Sequence, residues 1–443
     1  MRAERPSHNA EIARSRKDVL VCAVGKKSID ANALTSGRSF HVRLISQVVG
    51  PLGWITALNR YNSRSCRSER SVRTLHFSSL VTVALVWSPL VAAAQDAHKV
   101  AAPQTPAACV TPEAPIEVHH GLISPHDKTL YVAADGTGDF YSIQCALDAA
   151  PEQGALILVA PGTYREVLTV DKNNIRLRSA NSDPAKTVVV MDKSAGTAGG
   201  TLHSATVNVT ADNFFAENIT FQNDFNATHP QLPAGSQALA LLVTGDRAIF
   251  HNVRLLGNQD TVYAGNRPCV IDKQICIPSR QYFSDCYIEG NVDFIFGDSK
   301  AVFDRCEIHS TPHAGGYLTA QSKHDPEQDS GYVIDRCKLT ADPAVTGPVY
   351  LGRPWRPYAT VIYLNTQMGA HIDSAGWREW HPGETHSLET VFYAEYNSTG
   401  PGAQHDQRDP HTHFLSEEQA RQFEPAVFLR GSDNWNPAQD EHK

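Results

Sequence analysis

The chain has 443 residues, 39 Lys+Arg against 47 Asp+Glu, and nine cysteines, a length that admits up to three average domains or one large repetitive one. Residues 1–94 hold 14 basic and 5 acidic residues, so the rest holds 25 and 42, a net of −17. A body this acidic repels nucleic acid and anionic membranes, which excludes both as expected partners.

Residues 1–66 are rich in Arg and Ser without a clear hydrophobic period. They read as a disordered extension or as sequence upstream of the true start. Residues 67–94 read as a secretory signal: Arg67, Arg70 and Arg73 precede an apolar run from Leu80 to Val91, and Ala92-Ala93-Ala94 offers a small-residue cleavage site before Gln95. The run is too short to span a bilayer. Export predicts a secreted protein, extracellular or periplasmic, in which disulfides are permitted. Residues 95–127 are rich in Ala, Pro and His and read as a linker, leaving 128–443 as one domain.

Thr129 to Ala133 reads as a strand and Asp135-Gly136-Thr137-Gly138 as a turn. Ile143, Ala146, Leu147 and Ala150 recur at helical spacing until Pro151 stops them. Short apolar strands follow at Leu156–Val159, Val167–Val170, Ile175–Leu177 and Val188–Met191, separated by Gly, Asn, Asp or Pro. A weak repeat then pairs an apolar residue with a small one three positions on: Phe215/Asn218, Ile249/Asn252, Phe283/Cys286, Phe303/Cys306 and Ile334/Cys337. Irregular coils of this size, rich in strand and poor in helix, predict an all-β parallel β-helix. A sandwich or propeller would want more even hairpin spacing. On this ladder Cys286 and Cys306 fall on adjacent coils, where they could bond, with Cys337 extending the stack as a thiol. Cys269 and Cys276 close a short loop and form a second candidate bridge; Cys109 with Cys145 is a third. The alternative for all of them is small buried thiols, common in cores. Ser416-Glu417-Glu418-Gln419 fits a capping box opening a short C-terminal helix that covers one end or flank.

Chemistry concentrates between Gly257 and Gly297. Asp260 follows Gln259, and Asp293 lies between Val292 and Phe294. A lone carboxylate in such a run is rarely tolerated unless paired or used, and two acids in unlike surroundings can divide into an acid and a nucleophile. Gln237 and Gln259 supply uncharged donors suited to an oxyanion. Arg353, in Leu351-Gly-Arg-Pro-Trp355, could keep one aspartate ionised. Trp355, Trp377 and Trp380 offer flat faces of the kind on which sugars stack. Each of these alone also reads as a turn residue, a surface ion pair or core packing.

Five motifs in order carry a resemblance. They are Gly162-Thr-Tyr-Arg-Glu166, Gln237-Ala-Leu-Ala-Leu241, Gln259-Asp-Thr-Val-Tyr263, Asp293-Phe-Ile-Phe-Gly297 and Leu351-Gly-Arg-Pro-Trp355. From about Thr129 to Pro437 the chain resembles the pectin methylesterase (pectinesterase) family of bacterial and plant type. The resemblance implies a right-handed parallel β-helix and hydrolysis of methyl esters of pectin, a methyl-esterified galacturonan, by a monomer without metal or cofactor. It implies Asp293 as nucleophile, Asp260 as general acid and then base, Gln237 and Gln259 as the oxyanion pair, and Arg353 as the residue orienting Asp293. Thr201, Tyr263, Phe296, Trp355 and Trp380 match cleft positions, and Cys286/Cys306 matches a bridge in relatives. The chain departs from the pattern in a longer 264–280 segment, which should form a lobe near the cleft, in Val262 where Leu is usual, and in Asn291 where Thr is usual. The competing readings are a related β-helix lyase, a non-catalytic carbohydrate-binding stack, and an esterase or thioesterase on another acyl substrate. No dense acidic cluster for Ca²⁺ surrounds the motifs, and no Gly-x-Ser-x-Gly elbow occurs.

Overall fold

The structure, a computed structural model, describes residues 44–50 and 53–59 (backbone only), 109, 129–231, 236–267, 278–381, 383 and 387–440. In the unit Met1–His98, Leu44–Gly50 pairs antiparallel with Gly53–Asn59. The signal-like segment 67–94, the 95–127 linker apart from Cys109, and the candidate bridge Cys269/Cys276 lie outside the described residues. Among the described residues no helix is long and apolar enough to cross a membrane.

The unit Lys99–Lys443 carries three sheets of 11, 8 and 7 strands. The chain visits them in turn. Arg280–Ser284 belongs to the first, Tyr287–Gly290 to the second and Val292–Gly297 to the third, before Lys300–Asp304 returns to the first. Each strand pairs in parallel with its equivalents on the coils before and after. This is the expected parallel β-helix.

The strands form because alternate residues find two apolar partners. One column of the first sheet points inward: Ala216, Phe250, Phe283, Phe303 and Ile334 share one register. Within it Phe250, Phe283 and Phe303 stack with successive centroids 4.6 Å apart and planes within 11°, each such pair adding about 0.5–1.5 kcal/mol beyond burial. The adjacent column, Phe215, Ile249, Tyr282, Val302 and Val333, points outward and is covered by Ala420, Leu429 and Trp435 of the C-terminal segment. The capping box at Ser416 forms as expected and opens the helix Glu417–Ala420.

This register corrects the sequence repeat. Ile249 pairs with Tyr282, not Phe283, so the second 34-residue step is one residue too long. A one-residue slip exchanges the two faces of a strand, and apolar residues on both faces hid it. The polar residues of the repeat mark the bend between the first and second sheets. Asn218, Asn252, Asp285, Arg305 and Arg336 all adopt positive φ, between 50° and 57°. A left-handed residue turns the chain without a loop, and Asn and Asp tolerate it best. Cys286, Cys306 and Cys337 are the next residues along, inside the core.

The Cys286–Cys306 bridge is not formed; both residues are buried free thiols, as is Cys337. In a parallel ladder, equivalent side chains project the same way about 4.7–4.9 Å apart, whereas a disulfide needs Cβ atoms about 3.5–4.5 Å apart and facing. Each sulfur instead lies against a backbone carbonyl of the preceding coil: Phe250 for Cys286, Phe283 for Cys306 and Phe303 for Cys337, at 3.3–3.4 Å. Burial pushes the Cys286 and Cys337 thiols up, which keeps them protonated. Cys109 is bonded to Cys145, on the helix Ile143–Ala149.

The Gly162-to-Glu166 motif has a structural role. The Glu166 carboxylate accepts from Ile143 N, Gln144 N and Ser142 Oγ, all at 2.9 Å. It thereby satisfies orphan donors at the start of the helix Ile143–Ala149 from a neighbouring coil.

Peptide mapping after alkylation without reductant should recover Cys286, Cys306 and Cys337 as alkylated thiols and Cys109 cross-linked to Cys145. A peptide pair joined through Cys286 and Cys306 would refute the register-based account.

Candidate active site

The outer face of the third sheet gathers the singled-out residues. Val262 pairs with Ile295 on the next coil, so Asp260 and Asp293, each two residues earlier, occupy equivalent places. The Asp260 backbone N donates to Val292 O at 3.1 Å. Both aspartates have left-handed backbones, φ 63° and 51°, a conformation costing of order 1–3 kcal/mol that clusters at functional sites. At Asp293 the cause is visible. The register between Val292–Gly297 and Gly316–Gln321 shifts between Val292 and Ile295, so this strand carries an extra residue. Such a bulge re-aims a side chain. Phe294 stays in the core at 0% exposure, while Asp293 turns toward the outer face.

Arg353 meets Asp293 in a bidentate pair. Its Nε donates to Oδ1 at 2.9 Å and its Nη2 to Oδ2 at 2.6 Å. Arg353 enters from two coils away, its backbone N bonded to Thr319 O at 3.0 Å. Gly352 makes the approach possible: a Cβ there would stand 2.1 Å from Thr319 Oγ1. The guanidinium is held between two rings, 4.0 Å from the Tyr317 centroid and 4.3 Å from that of Trp380.

The two carboxyls are 8% and 6% exposed, yet they differ electrostatically. Burial pushes Asp260 well above the usual carboxylate range, the Asp293 charge adds to this, and Arg353 opposes it. Burial raises Asp293 as well, but the hydrogen bonds and charge of Arg353 pull it back. The dyad therefore favours a proton on Asp260 and a charge on Asp293.

Gln237 and Gln259 stand on consecutive coils, joined by Ala238 N donating to Gln259 O at 3.2 Å. Both side chains are half-buried, and among the described residues neither amide is engaged in a hydrogen bond.

An aromatic wall adjoins the acids. Tyr263 and Phe296 are register partners in an edge contact at 5.1 Å, and Trp355 lies 5.9 Å from Phe296. Tyr263, Trp355 and Trp380 pack on a cluster containing Ala205, Leu239 and Phe296. Burial, with Asp298, pushes the Tyr263 hydroxyl up to about 12. Thr201 begins the short helix Thr201–Ser204, which leads directly into Ala205; its carbonyl accepts from Ser204 Oγ, and among the described residues it makes no hydrogen bond to the dyad. Trp377 is not a cleft residue. It is 2% exposed and stacks at 4.0 Å on Tyr393 inside the core. At the base of the 264–280 segment, Asn266 bonds Asp298 and also receives Ser279 N, pinning its two ends; residues 268–277 lie outside the described residues.

Sequence reading missed Tyr317, Tyr350 and Arg378. Tyr317 is the one half-buried position of its strand, whereas Tyr350 is buried like the rest of its own, so the apolar pattern gave no sign of either.

Residues 129–432 match the Pectinesterase family. The chain is similar to "Pectinesterase 31" of Arabidopsis thaliana, 36% identical over 318 residues, 68% of this chain and 92% of that protein. It spans 59% of a longer Arabidopsis relative named "Probable pectinesterase/pectinesterase inhibitor 17". Among solved structures it resembles pectin methylesterase from carrot at 32% identity and TM-score 0.64, covering 72% of this chain and 98% of that one. A pectin methylesterase in complex with a hexasaccharide matches at 30% identity and TM-score 0.58, covering 70% and 98%. With the family matched across the whole β-helix and these relatives alongside it, the chain belongs to the pectinesterase family.

Proposed function

We propose that this pectinesterase removes methyl esters from pectin through an aspartyl acyl-enzyme. The observation that carries the reading is the charge-divided dyad: Asp293 clamped by Arg353 and, on the neighbouring coil, Asp260 held toward its protonated form. The Asp293 carboxylate attacks the ester carbonyl carbon. The Gln237 and Gln259 amides donate to the oxyanion as it develops. When the tetrahedral adduct collapses, the bond to methoxyl breaks, Asp260 supplies its proton, and methanol leaves an anhydride on Asp293. Asp260, now ionised, takes one proton from a water whose oxygen attacks that anhydride; the bond to Asp293 breaks, the product leaves as the carboxylic acid, and Asp293 is again ionised and Asp260 again protonated. Tyr263, Phe296, Trp355 and Trp380 provide the apolar surface on which sugar rings rest.

The partner is methyl-esterified galacturonan, in line with the hexasaccharide complex of the related enzyme. Residues 67–94 direct export and the mature chain begins at Gln95, acting as a secreted monomer. N-terminal sequencing of the exported protein should read from Gln95, and a start upstream of residue 67 would contradict the signal assignment.

Methanol release from highly methylated pectin tests the central reading. Asp293→Asn should lower kcat by several orders of magnitude while substrate still binds, because an amide cannot serve as the nucleophile. Near-normal turnover in this variant would remove Asp293 from the mechanism.

Asp260→Asn should be equally inactive but more stable. The folded pKa of Asp260 is raised, so the native state binds the extra proton and its stability falls as pH climbs from the unfolded value of 3.8 through the folded one. Removing that ionisation should raise stability at neutral pH, as a measurable rise in Tm. Thermal unfolding at pH 4 and pH 7 checks this; a gain confined to pH 4 would contradict it.

Arg353→Lys keeps the charge and loses the planar fork. It should lower kcat at least tenfold. It should also move the acid limb of the kcat/KM profile upward, since Asp293 loses hydrogen bonds that favour its charged form. An unchanged profile would show that the fork plays no part.

A further inference from the structure

The stack beside the dyad continues past Arg353. Val292, Tyr317 and Tyr350 occupy one outward column on consecutive coils of the third sheet. Tyr317 and Tyr350 stack at 5.6 Å with 20° between their planes. Beyond them, the Arg378 guanidinium lies 5.3 Å from the Tyr350 ring centroid and its Nη1 donates to Tyr350 Oη at 2.8 Å. The Arg378 backbone N bonds Gly352 O at 3.2 Å, so the root of the side chain is fixed to the sheet. One continuous column thus runs from Asp293 through Arg353, Tyr317 and Tyr350 to Arg378.

The two guanidiniums at its ends are in different states. Arg353 is half-buried and committed to Asp293. Arg378 is exposed, and among the described residues no carboxylate lies within ion-pair distance of it. The Tyr350 hydroxyl takes one of its five N–H donors and leaves a fork for a planar anion. Tyr350 lies two coils from Asp293, about 10 Å at one strand spacing per coil. A galacturonan lying along this face presents at each residue either a neutral methyl ester or a carboxylate, and only the carboxylate matches that fork. The net charge of −17 on residues 95–443 opposes a polyanion from afar. That field is screened beyond roughly 8–10 Å, and Arg378 acts at contact range.

We propose that Arg378, seated on the Tyr350–Tyr317 stack, is a specificity residue that binds the free carboxylate of a galacturonate a short way along the polymer from the reacting ester. The enzyme then favours esters that neighbour already de-esterified residues. This inference rests on the pectin reading above.

The test uses two hexagalacturonates, one fully methyl-esterified and one with free carboxylates flanking its remaining esters. The readout is the ratio of kcat/KM on the second to that on the first. Arg378→Gln should lower this ratio about tenfold relative to wild type. Arg378→Lys should fall between, because it keeps the charge without the fork or the ring seating. Raising the salt concentration should shrink the difference between wild type and Arg378→Gln. A ratio unchanged in Arg378→Gln overturns the proposal, and so does an equal fall on both substrates with a lowered Tm, which would make Arg378 structural. Wild-type protein that released methanol from neither hexamer would instead refute the pectin reading itself.

Discussion

Asp260, Asp293 and Arg353 are 33 and 60 positions apart along the chain, and they meet because parallel coils stack in register, one strand spacing at a time. Every functional contact here is a contact between coils. The Asp260 backbone bonds Val292, Arg353 bonds Thr319, and the guanidinium then reaches back to Asp293. The stacking leaves no freedom along the strands, because a shift of one residue exchanges core and surface. Side chains placed on it are therefore preorganised, and the substrate meets a site that need not reorganise.

Placing charge on such a surface has a cost. Both carboxyls are largely desolvated, both backbones are left-handed, and the Asp293–Arg353 pair is partly buried. Breaking a buried pair by removing one partner typically costs about 3–5 kcal/mol. The surrounding column of stacked phenylalanines and buried aliphatics offsets these penalties. Burial raises both acids, and the one-sided Arg353 clamp divides them, because only Asp293 receives hydrogen bonds that favour its charge.

The motif residues divide by the same physical logic. Glu166 caps a helix and does no chemistry. Gly297 has φ 120°, and a Cβ there would stand 2.3 Å from Ala264 O, so it is demanded by close approach of the next coil. Gly352 lets Arg353 near Thr319 in the same way. The thiol column shows the converse case. Cys286, Cys306 and Cys337 share one core position, and their proximity is a consequence of register rather than of bonding.

Composition and pattern alone carried the acidic body, the coil-like repeat, the first helix and the C-terminal capping box, because each depends on neighbours within one or two turns of chain. The ordered motifs carried the family and named the acids, the amides and the arginine. The register was beyond the sequence: with apolar residues on both faces of the first sheet, Ile249 could face Tyr282 or Phe283 with equal plausibility by pattern. The absent Cys286–Cys306 bridge follows from the spacing of parallel coils, and the core position of Trp377 and the outward column from Tyr317 to Arg378 follow from the pairing of the third sheet. Which aspartate keeps its proton was likewise decided only in the fold, since it depends on burial and on a guanidinium arriving from two coils away. Local pattern determines which residues a strand exposes, but only the stacking of coils determines which of them touch.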